Sequence, residues 1–353
     1  MKRICFFTST NFHFMLAVDF IHTRYNENNG FDPYVFQLNR AGEEINPDLD
    51  LSSLPFKYRA VSYNEFGPIR PYPEFISMLR FLLDSPPDTC VFFLEQSAFA
   101  VWLNFFMRGK TNIVLAPDGN KPYYKVTRKA YYSRTMETIR IYRFLAKQGF
   151  PLFRPYFQSL NYGRLKGINE IWLEHPQSYQ GYCREKLVQY SFLRGYNAAH
   201  PLNRIFRFSA SMLPFTENGI YYVNNILYEQ YLYDIEMEVL VYIRSKFPNS
   251  PFVIKYHPAT PVLQVERFGS IPGVQLMISS VPFELISASL QNCILISMWS
   301  NALMHENPRC NIYWLNKYLE KRGKMLRRIQ LVNPTKHIQE IEELDQLHFP
   351  SDP

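Results

Sequence analysis

Three short signals combine residue types that can do chemistry: Pro117-Asp118-Gly119, Tyr256-His257-Pro258, and a stretch running from Val281-Pro282-Phe283-Glu284-Leu285 to Trp299-Ser300-Asn301. A carboxylate such as Asp118 can take a proton from a hydroxyl, and Gly119 permits a tight turn with close approach of a ligand. An imidazole such as His257 can donate to a phosphate or protonate it as it leaves, and Pro258 stops a strand ladder just beyond it. Glu284 offers a carboxylate to the paired hydroxyls of a ribose. Ser300 and Asn301 offer side chains and backbone N–H groups to a phosphate.

Each signal also has a plainer reading. Asp-Gly is a common turn dipeptide. Glu284 sits just after Pro282, where a helix N-terminus favours an acid, and Ser300 reads equally as an N-cap. His175-Pro176 and His200-Pro201 show that the His-Pro pair recurs in other surroundings. Ser279-Ser280 is a competing hydroxyl pair, and Asn224 and Asn225 either contact a nucleobase or make a turn. Lys255 reads as an edge charge on the face opposite Tyr256.

The elements that must position these groups alternate along the chain. Arg3–Phe7, Phe31–Leu38, Thr89–Leu94 and Thr111–Ala116 read as strands, with helices over Phe14–Tyr25, Pro73–Leu83 and Ser97–Arg108. Gly167–Phe215 is less regular, with strands expected at Ile168–Leu173 and Ile205–Phe208. A second series follows: strands Ile220–Val223, Phe252–Tyr256, Val274–Met277 and Cys293–Ser297, with helices over Tyr228–Lys246, Pro261–Phe268, Phe283–Leu290 and Asn301–Glu306. Such alternation implies parallel sheets wrapped by helices. Thr335–Leu347 is amphipathic and acidic and reads as a last helix that packs across the first domain.

At 353 residues the chain is too long for one ordinary core. Hydrophobic residues at 47% and charged residues at 20% exclude a disordered chain. The expected domains are 1–215, 216–332 and a C-terminal piece, 333–353. Only four apolar residues, Ile4–Phe7, follow Met1-Lys2-Arg3, which reads as a strand and not a signal peptide. The five scattered cysteines read as buried thiols in a reducing compartment. The one Asp-x-Asp match singled out, Asp48-Leu49-Asp50, lies far from the other signals and is taken as accidental, so no metal is expected.

The net charge of +7 is concentrated. Residues 121–166 hold five lysines and six arginines against one acid, Glu137, a net +10, interleaved with aromatics such as Tyr131, Tyr132 and Phe157. That composition suits an anionic membrane surface or an anionic glycan, or else a solvated helix face. It falls in no recognisable nucleic-acid-binding motif, so nucleic acid is not the expected partner.

Together these signals resemble the bacterial lipooligosaccharide sialyltransferase and capsular polysialyltransferase families. The resemblance is strongest at Leu115–Gly119 and Phe252–Leu303. It implies an α/β chain of GT-B fold, two Rossmann-like domains facing a central cleft. It also implies an inverting, metal-independent transferase with a CMP-linked sugar as donor and no cofactor. Asp118 would be the general base, His257 with Pro258 would meet the CMP phosphate, Glu284 the ribose, and Ser300 the phosphate. The implied acceptor is a lipid-linked or polysaccharide glycan, with a cytoplasmic enzyme peripheral to the inner membrane through residues 121–166. Pro117 replaces the first acid of the family's acidic motif, and Asn301 stands where a second hydroxyl is usual. Those departures keep open a non-catalytic glycan-binding protein, and a transferase for CMP-Kdo or a CDP-polyol stays open because it would show the same Glu284 and His257.

Overall fold

The structure, a computed structural model, describes residues 1–40, 49–52, 54–63, 73–95, 98–126, 143, 146–147, 162–225, 230–257, 259–278, 280–322 and 329–350. Pro258, Ser279, Asp48 and most of the basic segment lie outside them. The chain divides into two compact units. One is Met1–Arg207 with Arg328–Val332, and the other is Phe208–Arg327 with Asn333–Pro353.

The first unit is built on a seven-stranded sheet of order β3-β2-β1-β4-β5-β7-β8. Its strands are β1 (Lys2–Thr8), β2 (Phe31–Arg40), β3 (Lys57–Tyr63), β4 (Thr89–Phe92), β5 (Asn112–Leu115), β7 (Glu170–Leu173) and β8 (Leu187–Gln189). Every pairing is parallel. Ile4, Cys5 and Phe6 on β1 are 0% exposed, because a central parallel strand is covered on both faces. Helices α1 (Asn11–Thr23), α2 (Pro73–Asp84) and α3 (Ala98–Met107) follow β1, β3 and β4. Thr10 caps α1 by accepting from the His13 N–H at 3.1 Å. Phe7, Met78, Trp102, Leu115 and Ile171 meet in one apolar core.

The second unit repeats the plan with six parallel strands of order β11-β10-β9-β12-β13-β15. These are β9 (Ile220–Val223), β10 (Phe252–Lys255), β11 (Val274–Met277), β12 (Ile294–Ser297), β13 (Asn311–Trp314) and β15 (Ile338–Glu340). In both sheets the chain first builds outward on one side and then returns to the other. The order therefore reverses between β1 and β4, and again between β9 and β12. Ligands of open α/β sheets bind outside the strand C-termini at such reversals.

Several expectations are corrected. Ile205–Phe208 is not a strand: Pro201–Ile205 is helical, with Pro201 in its first turn and His200 accepting from the Leu202 N–H at 3.3 Å. Asn301–Glu306 shrinks to one 3-10 turn, Asn301–Leu303. The expected C-terminal helix is a strand, β15, followed by a 3-10 turn at Leu344–Gln346, and it belongs to the second unit. Ile338, Ile341, Leu344 and Leu347 are all buried. Their spacing of three mimics one face of a helix, but pairing of β15 with β13, Ile312 opposite Ile338, decides the outcome. The piece that does enter the first unit is β14 (Ile329–Leu331), which pairs antiparallel with β6 (Tyr124–Val126). Lys255 lies on β10, between β9 and β11, and so is not an edge charge.

Among the described residues no helix is long and apolar enough to cross a membrane. If β15 anchors the second unit, Ile338→Ala, at a site 3% exposed, is expected to cost ~2–4 kcal/mol. A urea titration reads this as a lower midpoint. An unchanged midpoint would mean that the C-terminal residues are not part of that core.

Candidate functional site

In the first unit Asp118 leaves the end of β5, and Gly119 behind it takes φ 59°, the left-handed region a glycine occupies without strain. Asp118 is doubly engaged. His13 Nε2 lies 3.1 Å from its Oδ1, and Lys121 Nζ pairs with its Oδ2. His13 comes from the first turn of α1, just beyond β1, and its ring stacks on Phe93 beyond β4, with centroids 4.6 Å apart. Its other nitrogen, Nδ1, is 3.1 Å from Ser9 Oγ. A chain Ser9–His13–Asp118–Lys121 thus spans the C-terminal ends of β1, β4 and β5, beside the reversal of strand order. Burial works to raise the Asp118 pKa. The Lys121 charge and then the His13 contact outweigh it and hold the carboxyl at about 2.

Both roots of the basic segment meet the same strand end. Lys121 begins a 3-10 turn, Lys121–Tyr123, and Tyr162 on the returning side donates its hydroxyl to Ala116 O. The return is tied further by Glu95, just past β4, whose carboxylate accepts from Gly163 N and Leu165 N, each at 2.6 Å. Burial pushes Glu95 up to about 7, and those backbone N–H groups limit the rise.

In the second unit the groups lie at the ends of β9, β10 and β12. His257 follows β10, and its Nδ1 accepts from the Ala259 N–H at 3.0 Å. With Nδ1 accepting, the neutral ring carries its proton on Nε2, which makes it a donor. Partial burial and then the Lys255 charge lower its pKa. Lys255, at the end of β10, is pushed by burial down to about 8, while Glu284 opposes that shift. Glu284, 4% exposed in the short helix Phe283–Ser287, is pushed by burial up to about 7, with its own N–H and Lys255 opposing. Lys255, His257 and Glu284 thus share one electrostatic neighbourhood.

The asparagines divide. Asn224 accepts from His257 N at 3.2 Å and Thr260 Oγ1 at 2.6 Å, and donates to Glu236 Oε1 at 2.9 Å. Its amide therefore holds the His257 loop against β9 and is not presented to a ligand. Asn225 Oδ1 lies 2.6 Å from Ser297 Oγ, which in turn accepts from Ser300 N at 3.0 Å. Ser300 caps the following turn, accepting from Ala302 N at 3.2 Å, so one lone pair is used and its hydroxyl proton can still donate. Asn301 and Ser280 are half-buried.

The structure therefore gathers His257, Glu284, Ser300, Asn301, Asn224 and Asn225 in the second unit and places Asp118 and Gly119 in the first. Sequence reasoning did not single out His13, Ser9, Lys121 or the role of Lys255. A histidine in the first turn of the helix after β1, three residues beyond a Thr cap, was the legible signal for His13. Asp50, of the Asp-x-Asp match, accepts locally from Ser52 N at 3.0 Å. Among the described residues no group of three or more His, Cys, Asp or Glu is placed to hold a metal.

No protein-family model matches the sequence, and no curated protein matches it. Solved structures do match. The GT-B domain of a sialyltransferase from Photobacterium damselae is 12% identical, with 86% of this chain and 88% of that chain covered and a TM-score of 0.50. A putative UDP-N-acetylglucosamine 2-epimerase from Listeria monocytogenes is 10% identical, with 92% and 83% covered and a TM-score of 0.54. These likenesses show the fold, two α/β units of GT-B type.

The raised pKa of Glu284 has a consequence for stability. Its folded value, about 7, exceeds the ordinary 4.5, so the folded protein holds this proton more tightly than the unfolded chain. The resulting stabilisation is full below pH 4.5 and is lost as pH rises through 7, up to ~3 kcal/mol for this one group. Glu284→Gln should remove that part of the slope, with Lys255 offsetting some of the gain at high pH. Urea midpoints at pH 4.5 and pH 8 measure it, and equal slopes in variant and wild type would refute it.

Proposed function

We propose that the chain is an inverting, metal-independent glycosyltransferase that moves a nonulosonic acid, sialic acid or a relative, from a CMP-linked donor to a hydroxyl of a bacterial surface glycan. The observation that carries this reading is the grouping of Lys255 and His257 at the end of β10 with Glu284 of the helix Phe283–Ser287, which Lys255 feels electrostatically, and with Ser300 in the same unit. A carboxylate, an ammonium and the N–H of an exposed imidazole are what a ribose and a phosphate require. The fold does not choose the donor, since one fold relative is a sialyltransferase and the other a putative UDP-sugar epimerase. The choice of CMP rests on the order Asp118-Gly119, His257-Pro258, Glu284 and Ser300 in the sequence.

In this reading the Asp118–His13 pair takes the acceptor hydroxyl's proton as the oxygen bonds to the anomeric carbon of the donor. The bond from that carbon to the phosphate oxygen breaks, and CMP leaves with its phosphate on His257 Nε2–H, Ser300 and Lys255. Glu284 holds the ribose hydroxyls. Asn301 supplies an amide where a second hydroxyl is usual. The basic residues of 121–166 hold the enzyme on anionic headgroups, where a lipid-linked acceptor resides.

Two experiments test this. Calorimetric titration with CMP, UMP, UDP and GDP should show selective CMP binding, weakened ~10–100-fold in His257→Ala, the worth of a hydrogen bond to a charged group. Binding of no nucleotide would move the reading to a glycan-binding protein, and preference for UDP would discard the CMP donor. Secondly, replacing Arg128, Lys129, Arg140 and Arg143 by neutral residues should release the protein from anionic vesicles, and salt should do the same to the wild type. Unchanged vesicle binding would remove the membrane from the proposal.

A further inference from the structure

We infer that Lys121 is a guard on Asp118, displaced by a carboxylate or phosphate that the acceptor glycan carries beside its reacting hydroxyl. The inference rests on the transferase reading of Asp118 and adds the class of acceptor.

The geometry is asymmetric. Both oxygens of Asp118 are occupied, Oδ1 by His13 and Oδ2 by Lys121. His13 is 1% exposed, stacked on Phe93 and held at Nδ1 by Ser9, so it has nowhere to go. The Lys121 side chain is 37% exposed against 17% for Asp118, so Lys121 covers the carboxylate from the solvent side. The backbone beneath Lys121 is pinned. Tyr123 N donates to Asn120 O at 2.8 Å and Gln180 N to Pro122 O at 2.9 Å, while the 2% exposed Tyr123 accepts from His175 N at 3.4 Å. Release therefore needs only a swing of the four-carbon stem, and no movement of the chain.

A base must be free to accept a proton, and Asp118 under an ammonium is not. The titratable groups that face it are His13 from α1, Lys121 from its own turn, and Tyr162 from the returning root of the basic segment, with Glu95 beyond Tyr162. Of these, His13, Tyr162 and Glu95 are buried, and Lys121 is the one open to solvent. A neutral sugar hydroxyl cannot compete with a carboxylate for that ammonium. Another anion can, because the compact lysine charge transfers between anions without geometric constraint. Lys121 is also the first residue of the segment 121–166, whose sequence carries a net charge of +10.

This arrangement makes an unusual binding prediction. Since Asp118 competes with the ligand for Lys121, Asp118→Asn should bind an anionic glycan more tightly than wild type. The probes are 3′-sialyllactose and lactose, titrated against the full chain, with CMP-N-acetylneuraminate and CMP as a second pair. Wild type is expected to prefer sialyllactose at least tenfold. Lys121→Met should lose the preference, Lys121→Arg should keep it, and Asp118→Asn should increase it at least threefold. Equal binding of the two lactosides by wild type, or weaker sialyllactose binding by Asp118→Asn, overturns the inference. So does a Lys121→Met loss confined to CMP-N-acetylneuraminate, which would place the anion on the donor. Because these arms read binding, they decide the guard even if no donor turns over, whereas failure of the CMP titration alone would strike the donor reading.

Discussion

In a sheet whose strands all run the same way, every loop that follows a strand emerges at one edge. Both main sheets obey this constraint throughout, and the rest of the molecule follows from it. Ser9 with His13, Phe93, and Asp118 come from three distant stretches yet are adjacent, because β1, β4 and β5 end together. For the same reason Asn224 meets His257, and Asn225 is tied through Ser297 to Ser300, at the ends of β9, β10 and β12. The apolar runs of the strands serve the helices on both faces and contribute nothing to chemistry; the chemistry is left to the first residues past each strand.

Those residues have two duties, and the hydrogen bonds separate them. Asn224, Glu236, Thr260 and Gln264 form a closed network in which Glu236 accepts from Tyr222, Asn224 and Gln264 at 2.7, 2.9 and 3.3 Å. Such a network locks the His257 loop to its strand. Glu284 and Lys255 differ. Burial drives one carboxyl up to about 7 and one ammonium down to about 8, so each is poised near neutrality. In the first unit the balance is opposite, because two partners hold Asp118 firmly ionised.

Much of this was legible in residue order. Alternating apolar runs and helical periods identify two parallel-sheet units, because burial on both faces demands unbroken apolar strands and the crossovers demand helices. Asp118, His257 and Ser300 were placed at strand ends correctly by the same logic. The pattern misled where spacing is ambiguous: Ile338, Ile341, Leu344 and Leu347 satisfy a helical face, and a strand with a following turn buries them equally well. It was silent on β3, β8 and β13, whose short or mixed sequences carry no strong period.

The sequence by itself determined the fold class, the strand ends that bear polar groups, and the excess of positive charge between Lys121 and Lys166. These depend on composition and local period, which need no partner. Only the tertiary structure decided that His13 and Lys121 both contact Asp118, that Asn224 is committed to the His257 loop, and that β14 returns to pair with β6. Such contacts join residues from three to more than two hundred positions apart, and no local pattern encodes which of two equally polar neighbours a carboxylate will choose. That choice is made by packing, when the sheet brings the strand ends within hydrogen-bond reach.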